Sequence, residues 1–63
     1  MLYVQDQEIM IKNYTGIMAL NNDLFECRID QKIISIQGKE IEIKYFGQDE
    51  ILLKGQFSLI RII

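Results

Sequence analysis

Histidine and proline are absent from this 63-residue sequence, and cysteine occurs once, at Cys27. With no imidazole and a single thiol, ligand chemistry argues against a zinc site, and an intrachain disulfide is impossible. The missing proline leaves every candidate strand intact. Long apolar runs are missing too: nothing approaches the roughly 20 residues that span a bilayer. The opening MLYVQDQEIMIK lacks the basic segment and small-residue cleavage site of a secretory signal, so a cytoplasmic protein without direct membrane insertion is expected. Neither charge sign dominates. Seven Lys and Arg against nine Asp and Glu, interspersed, give a net charge of -2 and no electrostatic footprint for nucleic acid or anionic lipid.

What is present is a short chain with room for one domain, residues 1–63. A chain of this size buries only about 60% of the surface its unfolded form exposes, and apolar burial only just offsets the entropy of ordering it. With disulfide and metal set aside, oligomerisation or docking onto a partner is the remaining source of extra stability.

From Ile33 to Ile63 the apolar period is two and isoleucine dominates, which argues for strands. A type II′ turn at Gly38-Lys39 would set Ile36 opposite Ile41 and Ile34 opposite Ile43. A three-residue loop at Gly47-Gln48-Asp49 would set Tyr45 opposite Ile51, Ile43 opposite Leu53 and Glu42 opposite Lys54; a one-residue slip would mix the faces. A second turn at Gly55-Gln56 would pair Leu52 with Leu59, Ile51 with Ile60 and Glu50 with Arg61. In the first half, EIMIK, GIMAL and LFECRI read as strands, and an Asn22-Asp23 turn would place Leu20 opposite Phe25 and Met18 opposite Cys27. The expected fold is all-β: a small antiparallel meander of seven strands, eight with LYV, curled into a roll or two-layer sandwich.

One face of the C-terminal meander then reads as core: Ile34, Ile36, Ile41, Ile43, Tyr45, Ile51, Leu53 and Ile60. The other is polar near Ser35, Gln37, Glu40 and Glu42 but carries Phe46, Leu52, Phe57, Leu59 and Ile63 further on. Two readings of those five residues stay open. Either the N-terminal strands cover them as a second layer, or they are a partner-binding surface.

No residue pattern points to catalysis, a metal or a cofactor. Cys27 has no base to activate it and falls on the apolar face, where it reads as a small buried hydrophobe. Glu40, Glu42, Asp49 and Glu50 alternate with Lys39, Lys44 and Lys54 and lack calcium-loop spacing. QGKE has the Gly-Lys pair of a phosphate loop without its first glycine, its Ser or Thr, or its helix, and Asn13-Tyr14-Thr15 is a glycosylation sequon without a secretion signal. Tyr3, Tyr14, Phe25, Tyr45, Phe46 and Phe57 could stack bases on a small barrel, but their basic neighbours are balanced by acids, which favours core packing.

The spacing of IKNYTGIMAL, IQGKEIEIKYF and DEILLKGQFSLIRI resembles that of the YabP/YqfC family of small sporulation proteins of endospore-forming Gram-positive bacteria, and is most like the YqfC branch. The likeness runs from Glu8 to Ile62. It is carried by Asn13, Tyr14, Gly16 and Ile17, by Ile36, Gly38, Lys39, Ile41 and Ile43, and by Glu50, Ile51, Gly55 and Ile60. The proline-containing segment that precedes the first strand in longer members has no counterpart here. The resemblance implies a non-enzymatic role in the mother cell during spore formation, peripheral at the forespore and with a membrane protein as partner. It brings no catalytic residue. The expectation is a sporulation-associated interaction or scaffold protein that acts through protein contacts and forms homo-oligomers. The alternative is a small barrel that binds nucleic acid or a small ligand. Expression confined to sporulation would favour the first.

Overall fold

The computed structural model describes residues 2–63. It is all-β, with strands β1 (Leu2–Gln5), β2 (Glu8–Lys12), β3 (Gly16–Leu20), β4 (Leu24–Ile29), β5 (Lys32–Phe46) and β6 (Glu50–Ile62). They form one open antiparallel sheet in the order β1-β2-β6-β5-β4-β3.

Six strands stand where seven or eight were expected, because two of the expected turns are absent. β5 runs straight through Gly38 and β6 through Gly55. Ile36 therefore faces Ile60 and Ile34 faces Ile62, in place of Ile41 and Ile43. Leu59 faces Gln37, and Ile51 and Glu50 pair with Ile11 and Lys12 of β2, in place of the partners a Gly55 turn would supply. Both glycines serve close approach. A Cβ on Gly38 would lie 2.3 Å from the Gln56 carbonyl oxygen and 2.9 Å from the Phe57 Cα, and one on Gly55 would lie 3.0 Å from the Ile41 Cα. The left-handed positions fall elsewhere, at Asp6 (φ 46°), Asn13 (64°), Asp30 (55°) and Glu40 (55°). Asp6 and Asp30 open the two-residue turns that join β1 to β2 and β4 to β5, where aspartate tolerates the conformation that a primed turn demands.

Three register shifts bend the long pair. Ser58 is extra in β6, one residue is extra in β5 between Lys39 and Glu42, where Glu40 takes its positive φ, and Lys44 is extra in β5. Such bulges kink a strand and raise its twist. Backbone groups released at the kinks are met by neighbouring loops: Gly38 N–H donates to the Asp23 carbonyl (3.1 Å), Ile41 N–H to the Asn22 carbonyl (2.8 Å) and Gly55 N–H to the Gln7 carbonyl (2.9 Å). The Gly47-Gln48-Asp49 loop lies where expected, with Ile43 opposite Leu53 and Glu42 opposite Lys54, but the pair expected next to it fails: Ile51 faces Phe46 in place of Tyr45.

The bend folds the sheet over on itself. Ile9 and Ile11 of β2 meet Phe25 and Cys27 of β4 in one core with Ile34, Ile36, Ile41, Ile51 and Leu53. Phe57, Ile43 and Ile60 are half-buried against it. Leu20 faces Phe25 as expected, but Met18 is bulged and exposed, so Ile17 takes the place opposite Cys27. Tyr45, expected in the core, is half exposed: the extra Lys44 turns it outward opposite Leu52 and sets Phe46 opposite Ile51.

Candidate functional site: an apolar stripe between ion pairs

Alternation sends Ile9, Ile11, Ile51 and Leu53 inward, and leaves the residues between them on the outer face of β2 and β6. Those outward neighbours are Met10 and Leu52. Tyr3 of β1 lies opposite Met10, Met10 opposite Leu52, and Leu52 opposite Tyr45. Tyr3, Met10, Leu52 and Tyr45 thus form one apolar row across four strands. The two tyrosines at its ends are 49% and 50% exposed, and Met10 and Leu52 are half-buried beside them.

Charge lines both sides of the row. On one, Lys44 Nζ donates to Glu8 Oε2 at 2.8 Å, beside the cross-strand neighbours Lys54 and Glu42. On the other, Lys12 Nζ lies 3.7 Å from Glu50 Oε2 and 5.9 Å from the centre of the Tyr3 ring. Lys44 first donates a hydrogen bond to Glu8 and then attracts its charge, which together hold the Glu8 carboxyl below its ordinary value. The row is thus an apolar strip with charge-balanced pairs on both sides.

The five residues singled out from the sequence do not come together on one patch. Leu52 lies in the stripe. Phe57 packs on the core and is covered by the chain's own fold, and Leu59 is exposed beyond the Ser58 bulge, opposite Gln37. Phe46, 60% exposed, stacks on Tyr14 with ring centres 6.4 Å apart, and Ile63 is exposed near the end of the β5–β6 pair, its backbone bonded both ways to Ile33. Tyr14 donates to the Gly47 carbonyl (3.4 Å), and desolvation pushes its phenol up. Tyr3, noted in the sequence only as an aromatic that could stack bases, and Met10, noted only within the EIMIK strand, were not among the partner-binding candidates. Met10 was the available signal, an apolar residue at the outward position between Glu8 and Lys12.

Cys27 is buried, and burial raises its thiol pKa. The carboxylates of the second half are spread out. Glu50 is ion-paired with Lys12, Glu42 lies opposite Lys54, Glu40 sits at the β5 kink and Asp49 in the loop; no group of three or more metal-binding side chains converges among the described residues. No helix among the described residues is long and apolar enough to cross a membrane. No protein-family model, curated protein or solved structure matches the chain.

Proposed function

We propose that this chain is a non-catalytic interaction module whose Tyr3–Met10–Leu52–Tyr45 stripe docks a protein partner, and that it serves spore formation in the mother cell. The observation that supports docking is the stripe itself: four contiguous apolar residues on an outer face, framed by ion pairs. Scattered apolar residues are normal on a protein surface, but a continuous row on a face that adds nothing to the core calls for a cover. The place in sporulation, beside a membrane protein at the forespore, rests on the resemblance to the YabP/YqfC family.

Deletion of the gene in the source bacterium tests both parts. Spore yield falls, wild-type protein restores it, Leu59→Glu restores it, and Leu52→Glu, folded by circular dichroism, does not. Unchanged sporulation on deletion defeats the assignment to spore formation. Full rescue by Leu52→Glu defeats the docking stripe.

A further inference from the structure

An open sheet leaves backbone groups without a neighbouring strand, and among the described residues four edges of this one are open: β3, β1, the part of β6 beyond Gly55 and the part of β5 beyond Gln37. Three are interrupted. Met18 bulges out of β3, Ser58 out of β6, and β5 has an extra residue between Lys39 and Glu42 and another at Lys44, and a bulge twists an edge away from flat pairing. β1 has no such protection. Its four residues, Leu-Tyr-Val-Gln, pair with β2 in unbroken register and contain no charge and no proline. An unbroken, uncharged edge is a template for another strand.

Which groups face outward follows from alternation along the hairpin. Gln7 turns its carbonyl toward β6, where it accepts from Gly55 N–H, and Asn13 N–H likewise donates to the carbonyl of Asp49, just before β6. The odd-numbered residues of β2 therefore direct their backbone to β6 and the even-numbered ones, Glu8, Met10 and Lys12, to β1. Opposite them, Gln5 and Tyr3 bond back to β2. Leu2 and Val4 are left with N–H and C=O directed away from the sheet.

We propose that β1 is a self-association edge: two copies pair β1 with β1 antiparallel about a two-fold axis at Tyr3. In this register Leu2 of each copy faces Val4 of the other, and each such pair exchanges two N–H···O bonds, so all the outward groups are met. The two Tyr3 side chains become the close, non-hydrogen-bonded pair at the centre, an arrangement in which aromatic residues attract across strands. The second copy is the fitting occupant because the edge is self-complementary: it brings the same apolar residues and no like charge. The pairing also joins the two stripes end to end, Tyr45–Leu52–Met10–Tyr3 running into its symmetry mate. In this respect it builds on the docking surface proposed above.

Val4→Pro removes the outward N–H and leaves every β1–β2 bond in place, a position where an edge strand accepts proline. Sedimentation of the wild-type protein is expected to show a species of twice 7.4 kDa in equilibrium with monomer. Val4→Pro keeps its circular dichroism and associates at least about tenfold more weakly, since each dimer loses two N–H···O bonds. In wild type, hydrogen exchange at the Leu2 and Val4 amides slows as protein concentration rises, a readout that needs no variant. A wild-type protein that stays monomeric with concentration-independent exchange, or a Val4→Pro variant that associates as wild type does, overturns the proposal. If wild type is monomeric while Leu52→Glu still fails to restore sporulation, the dimer is wrong and the docking stripe stands.

Discussion

The Gly38–Gly55 crossing divides the molecule into two halves that share one core but have different exteriors. In the first half, built from β1, β2, the end of β5 and the start of β6, a complete outer row is apolar: Tyr3, Met10, Leu52, Tyr45. In the second, built from β3, β4, the start of β5 and the end of β6, every outer row of the β4–β5–β6 ladder carries a polar residue. Leu24 and Leu59 flank Gln37, Glu26 and Arg61 flank Ser35, and Arg28 faces Ile33. Ser35 is buried there yet satisfied, its hydroxyl donating to Glu26 at 2.9 Å. The second half shows how these strands meet water while holding the core. The first departs from that pattern on one row only, and that row contributes nothing to the buried cluster. Apolar character there is not a demand of the buried cluster, and this is what supports the proposed contact role.

Disrupting the crossing gives the largest effect. Gly38→Val drives a branched side chain into the Gln56 carbonyl, which a Cβ would already approach to 2.3 Å. Overpacking against backbone costs roughly 3 kcal/mol or more, a large part of the ~3–9 kcal/mol expected at about 0.05–0.15 kcal/mol per residue. Gly55→Ala meets backbone atoms at 3.0 to 3.2 Å and loses about 1 kcal/mol. Urea unfolding of both measures the difference, and equal losses would show that the two strands do not cross most tightly at Gly38.

A gain is expected at Glu40. A residue other than glycine in the left-handed region costs about 1–2 kcal/mol, so Glu40→Gly stabilises by about 0.5–1 kcal/mol after glycine's own entropy is charged against it. Asp30→Gly, at a position that aspartate tolerates, changes the unfolding midpoint little. A destabilised Glu40→Gly would contradict the kink.

The smallest effect belongs to the rim. Because Lys44 lowers the folded Glu8 pKa below 4.5, its stabilisation is present above that value and is lost as pH falls through the folded pKa. Lys44→Ala should remove this part of the acid dependence and leave the rest of the unfolding curve in place; an unchanged pH profile would show that the pair does not form in solution. Since Glu8 is exposed and screened, the change is small.

Period-two alternation made the all-β fold legible, along with the 47–49 loop, Ile43 opposite Leu53 and most of the core. It could not tell a strand that ends at a glycine from one that continues through it, because a missing Cβ suits a tight turn and a close crossing equally. Only contacts between distant segments decide, such as the Asp23 and Gln7 carbonyls that receive Gly38 and Gly55. The reversals at Asp6-Gln7 and Asp30-Gln31 carry no glycine and so were less visible. Single extra residues had the greatest consequence. Lys44 exchanged the faces of Tyr45 and Phe46 and Ser58 separated Leu59 from Phe57, so a partner face drawn by strict alternation mixed residues from different surfaces.

Equilibrium urea unfolding of Leu52→Ala beside Leu53→Ala, at one protein concentration, tests the division into a folding face and a contact face most directly. The two leucines are adjacent on β6, the first half-buried in the stripe and the second fully buried. Leu53→Ala is expected to cost about 2–5 kcal/mol and Leu52→Ala about 1 kcal/mol or less. Equal losses, or a larger loss at Leu52, would place the stripe in the fold's own core and contradict the role proposed for it as a surface for a partner.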